Sequence, residues 1–141
     1  GRRGYKADDN YGAQMRAAVK TLTSAADRAA VAAYVAKLPA LKPAAGKPAG
    51  KAALANGSTQ FNALCSSCHG SNGLGNQALG APRLAGQNSA YLARQLAAFR
   101  SGQRGGSAGD KLGKQMAVMS KLLPAGKAEQ DTLAYIATLK P

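Results

Sequence analysis

Apolar side chains recur along this chain at the three-to-four-residue spacing that marks one face of an α-helix. Four segments show the pattern: residues 25–38, 53–67, 89–101 and 127–139. In the third of them, Leu92, Leu96 and Phe99 fall at positions i, i+4 and i+7. No segment alternates apolar and polar residues as a half-buried strand does. The pattern therefore predicts an all-α protein.

Glycine and proline interrupt the helical pattern in two places. Residues 70–86 carry five glycines and Pro82, a density that is typical of a loop. Residues 41–52 combine proline, glycine, alanine and lysine, and Pro39 stands just before them. This composition breaks helices and predicts an extended, basic linker.

An internal repeat organises the rest of the chain. Residues 1–38 align with residues 102–139 without a gap, and 14 of the 38 positions are identical. Repeats of this kind take precedence over local patterns. We therefore divide the chain into the C-terminal half of a first domain (1–40), a linker (41–52) and a complete domain (53–141). We expect the front half of the first domain to exist as a separate or lost fragment; the alternative is a natural chain with a decayed first domain.

The charge balance is strongly basic. Lys and Arg total 19 and Asp and Glu total 6, which gives a formal net charge of +13. Such a charge suits an acidic partner or an anionic membrane surface, although a merely solvated face is the commonest case. The basic residues are scattered and no nucleic-acid recognition motif accompanies them, so we expect no nucleic-acid partner.

No apolar run reaches the roughly 20 residues that span a bilayer, which predicts the absence of a transmembrane segment. The chain opens with Gly1-Arg2-Arg3-Gly4 and shows no secretory signal. We expect a processed or cut form of a longer protein.

Cys65-Ser66-Ser67-Cys68-His69 is the most specific motif of the sequence. Two cysteines three apart with a histidine directly after the second form the pattern of covalent c-type haem attachment. Each thiol can add to one haem vinyl group, and the histidine then projects its imidazole at the iron. The chain has no other cysteine or histidine. A zinc site would lack ligands, and a thioredoxin-like centre would lack its βαβ setting, while an ordinary disulfide would make a tight loop.

The second axial position of a haem iron requires another ligand, and three methionines are candidates. A thioether opposite histidine suits electron transfer, although methionine is more often core filler. The repeat pairs Met116 with Met15, whereas Met119 falls on Ala18. We therefore expect Met116 to be the ligand, with Met119 as the alternative, and Met15 to have ligated the haem of the missing half-domain.

Residues around the histidine can be assigned by their chemistry. A metal-bound histidine usually donates its other ring N–H to a carbonyl, and Pro82 offers a carbonyl without a donor. Arg83, Gln87 and Tyr91 are placed to reach a haem propionate, although surface exposure is the ordinary state of each.

These motifs together resemble class I cytochrome c. The resemblance rests on the segment from Cys65 to Gly70, on residues 82–87, on Tyr91 to Phe99, on Met116 and on Ala134-Tyr135-Ile136. It is closest to the two-domain, di-haem bacterial kind, although the first domain's attachment motif is missing. The resemblance implies small helical domains that pass electrons between membrane cytochrome complexes and terminal oxidases. It implies one haem c on this chain, and a second where the missing half-domain is supplied.

Several functions can be weighed for a c-type haem. A carrier that passes single electrons through an exposed haem edge agrees with a saturated His/Met iron and a basic surface. A peroxidase needs an open iron position and a distal acid–base group, and no second histidine is available. We expect an electron carrier without enzymatic activity. The alternatives are an electron-transfer subunit of a larger oxidoreductase complex and a gas-binding haem module.

Overall fold

The computed structural model describes residues 4, 6–39 and 49–140, and the chain divides into two compact units, residues 1–42 and 43–141. Seven α-helices lie in the described part, with no β-strand there apart from an isolated bridge between Asn76 and Ala81. The all-α prediction is confirmed. No helix in the described ranges is long and apolar enough to cross a membrane.

The first unit holds two helices joined by a 3-10 turn at Val19–Thr21, and the second unit holds five. In chain order the helices are α1 (Asn10–Ala18), α2 (Ala25–Ala36), α3 (Lys51–Leu64), α4 (Ser66–His69), α5 (Ser89–Arg100), α6 (Lys111–Leu122) and α7 (Lys127–Ile136).

The start of α3 corrects one predicted boundary. Gly50 is extended and precedes the helix, so residues 51 and 52 are helical and do not belong to the predicted linker. Most of the predicted linker, residues 40–48, lies outside the described residues. The predicted helix over 127–139 is also too long, because α7 ends at Ile136.

Two helices that the apolar pattern did not indicate, α1 and α6, begin in the same way. Asp9 precedes α1 and accepts the backbone N–H of Gly12 at 3.0 Å, and Asp110 precedes α6 and accepts that of Gly113 at 3.0 Å. A side-chain oxygen at this position satisfies one of the N–H groups that a helix start leaves open. Both aspartates and both glycines are paired by the repeat, which is therefore visible in local geometry.

The first unit buries very little of its apolar surface. In α2, Tyr34 is 67% exposed and Val35 is 56% exposed, and Met15 in α1 is 62% exposed. The helix itself is well capped, since Ser24 accepts the N–H of Asp27 at 2.9 Å. The interpretation of residues 1–40 as half of a domain stays a prediction.

The core of the second unit forms where α3 crosses α7. Phe61 of α3 is fully buried and its ring lies 5.5 Å from that of Tyr135. Leu92, Leu133 and Ile136 complete the buried cluster. With two phenylalanines and no tryptophan in the whole sequence, this cluster is small.

Gly57 sets the distance between the two helices. A Cβ at this position would lie 2.0 Å from the carbonyl oxygen of Asp131 and 2.9 Å from the Cβ of Tyr135. Only a residue without a side chain allows so close an approach of two helix backbones.

Polar side chains also join α3 and α7 where the two helices cross. Asp131 is buried and accepts from Lys127 Nζ at 2.8 Å and from Asn56 Nδ2 at 2.8 Å. These hydrogen bonds, with that from Lys127 the largest cause, lower the pKa of the Asp131 carboxyl. The carboxylate is therefore satisfied where a bare buried charge would be costly.

We predict that Gly57→Ala destabilises the holoprotein by about 1–3 kcal/mol, because the added methyl group must push α3 and α7 apart. Gly109→Ala is the matched control, since nothing lies within 4 Å of a Cβ there, and it should change stability by less than about 1 kcal/mol. Guanidinium unfolding followed by circular dichroism measures both. Equal stability of the two variants would contradict the close crossing.

Candidate functional site: the Cys-x-x-Cys-His turn

The two cysteines and the histidine lie on a single helical turn at the end of α3. The backbone N–H of Cys65 donates to Phe61 at 2.8 Å, and that of His69 donates to Cys65 at 2.9 Å. Residues at i, i+3 and i+4 share one face of a helix. The spacing of the motif thus places Cys65, Cys68 and His69 on the same side of the turn.

The two thiols have different surroundings and are not joined in a disulfide. Cys65 is half-buried against the core cluster, and this burial raises the pKa of its thiol to about 11. Cys68 is exposed. Both sulfur atoms are consequently available as thiols for thioether bonds, one at the core and one at the surface.

The ring of His69 is held by a backbone carbonyl. Its Nδ1 lies 2.7 Å from the carbonyl oxygen of Pro82, and the residue is only 8% exposed. A carbonyl only accepts hydrogen bonds, so Nδ1 must carry the proton. Nε2 of the neutral imidazole then keeps its lone pair, which is the form that binds a metal.

The loop over residues 70–86 folds back to bring Pro82 to the histidine. Gly75 donates to the carbonyl of His69 at 2.8 Å, and Leu84 donates to that of Gly73 at 2.8 Å. Asn76 and Ala81 exchange two backbone hydrogen bonds between these points. The loop is thereby closed at both ends by main-chain bonds.

Gly75 is required at the narrowest point of this loop. Its φ is +87°, and a Cβ there would lie 2.7 Å from the backbone nitrogen of Arg83 and 2.8 Å from the carbonyl oxygen of Ala81. Both the backbone conformation and the space exclude a larger residue.

We predict that Gly75→Ala destabilises the holoprotein by about 2–4 kcal/mol, from the positive φ and from the close approach together. Gly126→Ala isolates the first cause, because Gly126 also has a positive φ of +85° but nothing within 4 Å. Its expected cost is about 2 kcal/mol, below that of the Gly75 variant, because only the backbone conformation opposes the methyl group. Chemical unfolding compares the two, and a Gly126 variant as unstable as the Gly75 variant would refute the role of the close approach.

The candidate methionines lie three residues apart on α6, so they are neighbours on one broad side of the helix, and both are half-buried. Met116 shares a face with Ser120 and Leu123, at i+4 and i+7, and both of these are buried. Met119 stands at the edge of that side, with exposed Gln115 and Leu122 at i−4 and i+3 and buried Leu123 at i+4. The buried line of the helix therefore runs closer to Met116 than to Met119.

Arg100 fixes the end of the helix that carries Met116. Its guanidinium donates to the carbonyls of Ser120 and Leu123, each at 2.8 Å, and pairs with Glu129 of α7. Three elements, α5, α6 and α7, therefore meet at one side chain. Sequence reasoning missed this residue because two of its partners are backbone carbonyls, which leave no trace in the side-chain pattern.

We predict that Arg100→Met destabilises the holoprotein by about 3 kcal/mol, because Glu129 and two carbonyls lose a partly buried donor. Arg100→Lys keeps the charge but cannot reach three acceptors, so about half of the loss is expected. Thermal and guanidinium unfolding report the order wild type, lysine, methionine. A lysine variant as stable as the wild type would show that charge alone suffices.

The remaining candidates from the sequence lie at the surface. Arg83 is exposed and donates through Nε to the carbonyl of Ala85 at 2.9 Å. Gln87 is exposed, and Tyr91 is 42% exposed at the start of α5. Their contact with a haem propionate stays a prediction, as does the ligand role of Met15.

The comparison with known proteins decides the family. The Cytochrome c family model matches residues 54–140, which is more than half of the chain. The chain belongs to the cytochrome c family. Members of this family hold haem c covalently, and Cys65 and Cys68 fit one such haem. The resemblance to the di-haem class I proteins is supported by the relatives that follow.

Three relatives illustrate the match. Cytochrome c-554(547) of Halothiobacillus neapolitanus is 40% identical over 89 residues, which are 61% of this chain and 96% of that protein. Cytochrome c4 of Stutzerimonas stutzeri is 52% identical over 40 residues, 28% of this chain. The thiosulfate dehydrogenase electron acceptor of Thiomonas intermedia (strain K12) is 40% identical over 74 residues, 46% of this chain.

The match spans only part of two of these proteins, 19% of cytochrome c4 and 34% of the thiosulfate dehydrogenase electron acceptor. No solved structure matches the chain at comparable significance.

The residues present fit a haem. Two free thiols and an imidazole whose Nδ1 is held by the Pro82 carbonyl are a donor set that suits the cytochrome c site. Apolar side chains that a porphyrin could cover stand nearby: Leu74 and Leu79 of the loop are 45% and 48% exposed. Gly80 of the same loop lies against Leu112 at the start of α6, since a Cβ on Gly80 would be 2.5 Å from Leu112 Cδ1. The described residues contain no cluster of three His, Cys, Asp or Glu side chains that would hold a bare metal ion.

Proposed function

We propose that this cytochrome carries single electrons with His69 and Met116 as the axial ligands of its haem iron. The hydrogen bond between His69 Nδ1 and the Pro82 carbonyl supports the proposal most strongly, because it fixes the tautomer that presents Nε2 to a metal. The thioether sulfur of Met116, on the buried side of α6, would be the second donor. When bound, the haem supplies a reversible one-electron iron couple.

The protein's own residues do three things in this function. Cys65 and Cys68 hold the group by covalent bonds, so that it is not lost between partners. The Pro82 carbonyl orients the imidazole and increases its basicity, which influences the reduction potential. Arg100 fixes the end of α6, the helix whose Met116 would offer its thioether to the iron.

A carrier also has to meet its partners, and the charge of +13 favours acidic ones. We place the protein in the periplasm, with a terminal oxidase or a membrane cytochrome complex as partner. A second candidate partner is a thiosulfate dehydrogenase, which is favoured by the two relatives whose names describe them as electron acceptors of that enzyme.

Two alternative functions use the same haem. An electron-transfer subunit of a larger oxidoreductase would have the same iron ligands, and it is distinguished by its stable association with the other subunits. A gas-binding module would need the methionine to be displaced. The first unit, in this proposal, is the C-terminal half of a first cytochrome c-like domain, and a separate fragment that completes it could bring a second haem.

We predict that Met116→Ala removes the long-wavelength ferric band of the methionine–iron bond and lets carbon monoxide bind the ferrous form at once. Met119→Ala is the matched control on the same helix and should keep the band. Absorption spectra at neutral pH measure both. If Met119→Ala loses the band and Met116→Ala keeps it, the assignment is wrong; if the wild type lacks it and binds carbon monoxide freely, the carrier function is wrong.

A further inference from the structure

The outward face of α6 carries apolar side chains that nothing in its own unit covers. Lys111, Gln115, Val118 and Leu122 follow one another at i, i+4, i+7 and i+11, which is a single line along a helix. All four are exposed, and Val118 and Leu122 remain 62% and 55% exposed. A strictly solvated helix face would place polar residues there.

Lysines border these apolar residues. Lys114 and Lys121 lie alongside Val118 and Leu122, and both are exposed. The helix itself contains no carboxylate. Glu129 and Asp131, the two carboxylates of α7, are bound by Arg100 and Lys127 and not by the lysines of α6.

This face is separate from the haem ligand. Met116 shares its side of α6 with buried Ser120 and Leu123, whereas Val118 and Leu122 lie on the opposite side. Neither the helical core nor a group held by Met116 therefore covers the two apolar side chains.

The repeat shows that the fold does not require this pattern. In α1 and the turn after it, the positions equivalent to Lys114, Val118 and Leu122 are Ala13, Ala17 and Thr21. The two helices begin with the same aspartate cap and the same glycine, so their backbones are comparable. Lys121 is matched by Lys20, so what the second unit adds is the apolar pair Val118 and Leu122 together with Lys114.

We propose that the α6 face, defined as Lys111, Lys114, Val118, Lys121 and Leu122, is the docking surface for an acidic redox protein. This inference rests on the proposed function and names the surface that the partner uses. An apolar centre with a charged border is the arrangement of protein interfaces, and the lysines fit a partner with carboxylates around an apolar patch.

Other occupants fit less well. A second copy of the chain would bring another +13 charge against the first. An anionic lipid surface would call for a larger apolar face with aromatic residues, and the α6 face has two aliphatic side chains and none that is aromatic.

The test uses the holoprotein and reduced flavodoxin, an acidic protein that donates single electrons. Stopped-flow reduction is measured over a range of ionic strength for the wild type and two double variants. Lys114→Glu/Lys121→Glu should lower the rate constant at low salt at least tenfold and flatten its salt dependence. Val118→Ser/Leu122→Ser should weaken binding about three- to tenfold without changing the salt dependence.

The matched control is Lys6→Glu/Lys20→Glu in the first unit, which changes the net charge equally at exposed positions. It should slow the reaction less than threefold. Circular dichroism and the methionine–iron band establish that each variant is folded, and vesicles of phosphatidylglycerol test the lipid alternative.

Four outcomes would overturn the proposal. The wild-type rate constant does not depend on salt, or the two charge-reversal variants slow the reaction equally. The Val118/Leu122 variant binds flavodoxin as the wild type does, or the α6 variants lose vesicle binding but keep the flavodoxin rate constant. Reduction by ascorbate distinguishes a failure of the docking proposal from a failure of the proposed function. If neither ascorbate nor flavodoxin reduces the haem, the protein is not an electron carrier. If ascorbate reduces all variants normally, the flavodoxin rates test the docking surface alone.

Discussion

The hydrogen bond from His69 Nδ1 to the Pro82 carbonyl is the constraint on which the site depends. It exists because a glycine-rich loop doubles back over 13 residues and is locked by main-chain bonds at both of its ends. The loop needs Gly75 for this path, since a side chain there would meet the backbone near Pro82. A single acceptor thus determines which ring nitrogen carries the proton, and so which nitrogen is left for iron.

The rest of the second unit positions the elements around that bond. The close crossing of α3 and α7 at Gly57 places the end of α3, and with it the cysteine turn, against the core. Arg100 ties α5 and α7 to the end of α6, whose inner face carries Met116. With so few aromatic side chains, the protein relies on these specific contacts more than on a large apolar core.

The sequence indicated those features that depend on local pattern. Residues 89–101 and 127–139 were expected to be helical and match α5 and α7 within a few residues, and the family follows from the cysteine motif. Pro82 was a reasonable acceptor because it has a carbonyl and no N–H, although its role toward a bound haem stays a prediction.

The apolar pattern did not predict helices α1 and α6, nor the contacts made by Arg100 and Gly57. The apolar residues of α6 lie on both of its sides, Met116 and Leu123 inward and Val118 outward, so no single stripe marks the helix. Arg100 binds backbone carbonyls, and Gly57 acts through the absence of a side chain. Interactions of these kinds depend on tertiary approach and leave no periodic signal.

The most direct measurement is the nitrogen-15 NMR spectrum of the histidine ring in the reduced holoprotein. His69 is the only histidine, so the two ring nitrogens give one unambiguous pair of signals. We predict a slowly exchanging proton on Nδ1 and an unprotonated, iron-bound Nε2. A proton on Nε2, or one exchanging rapidly between the two nitrogens, would contradict the account.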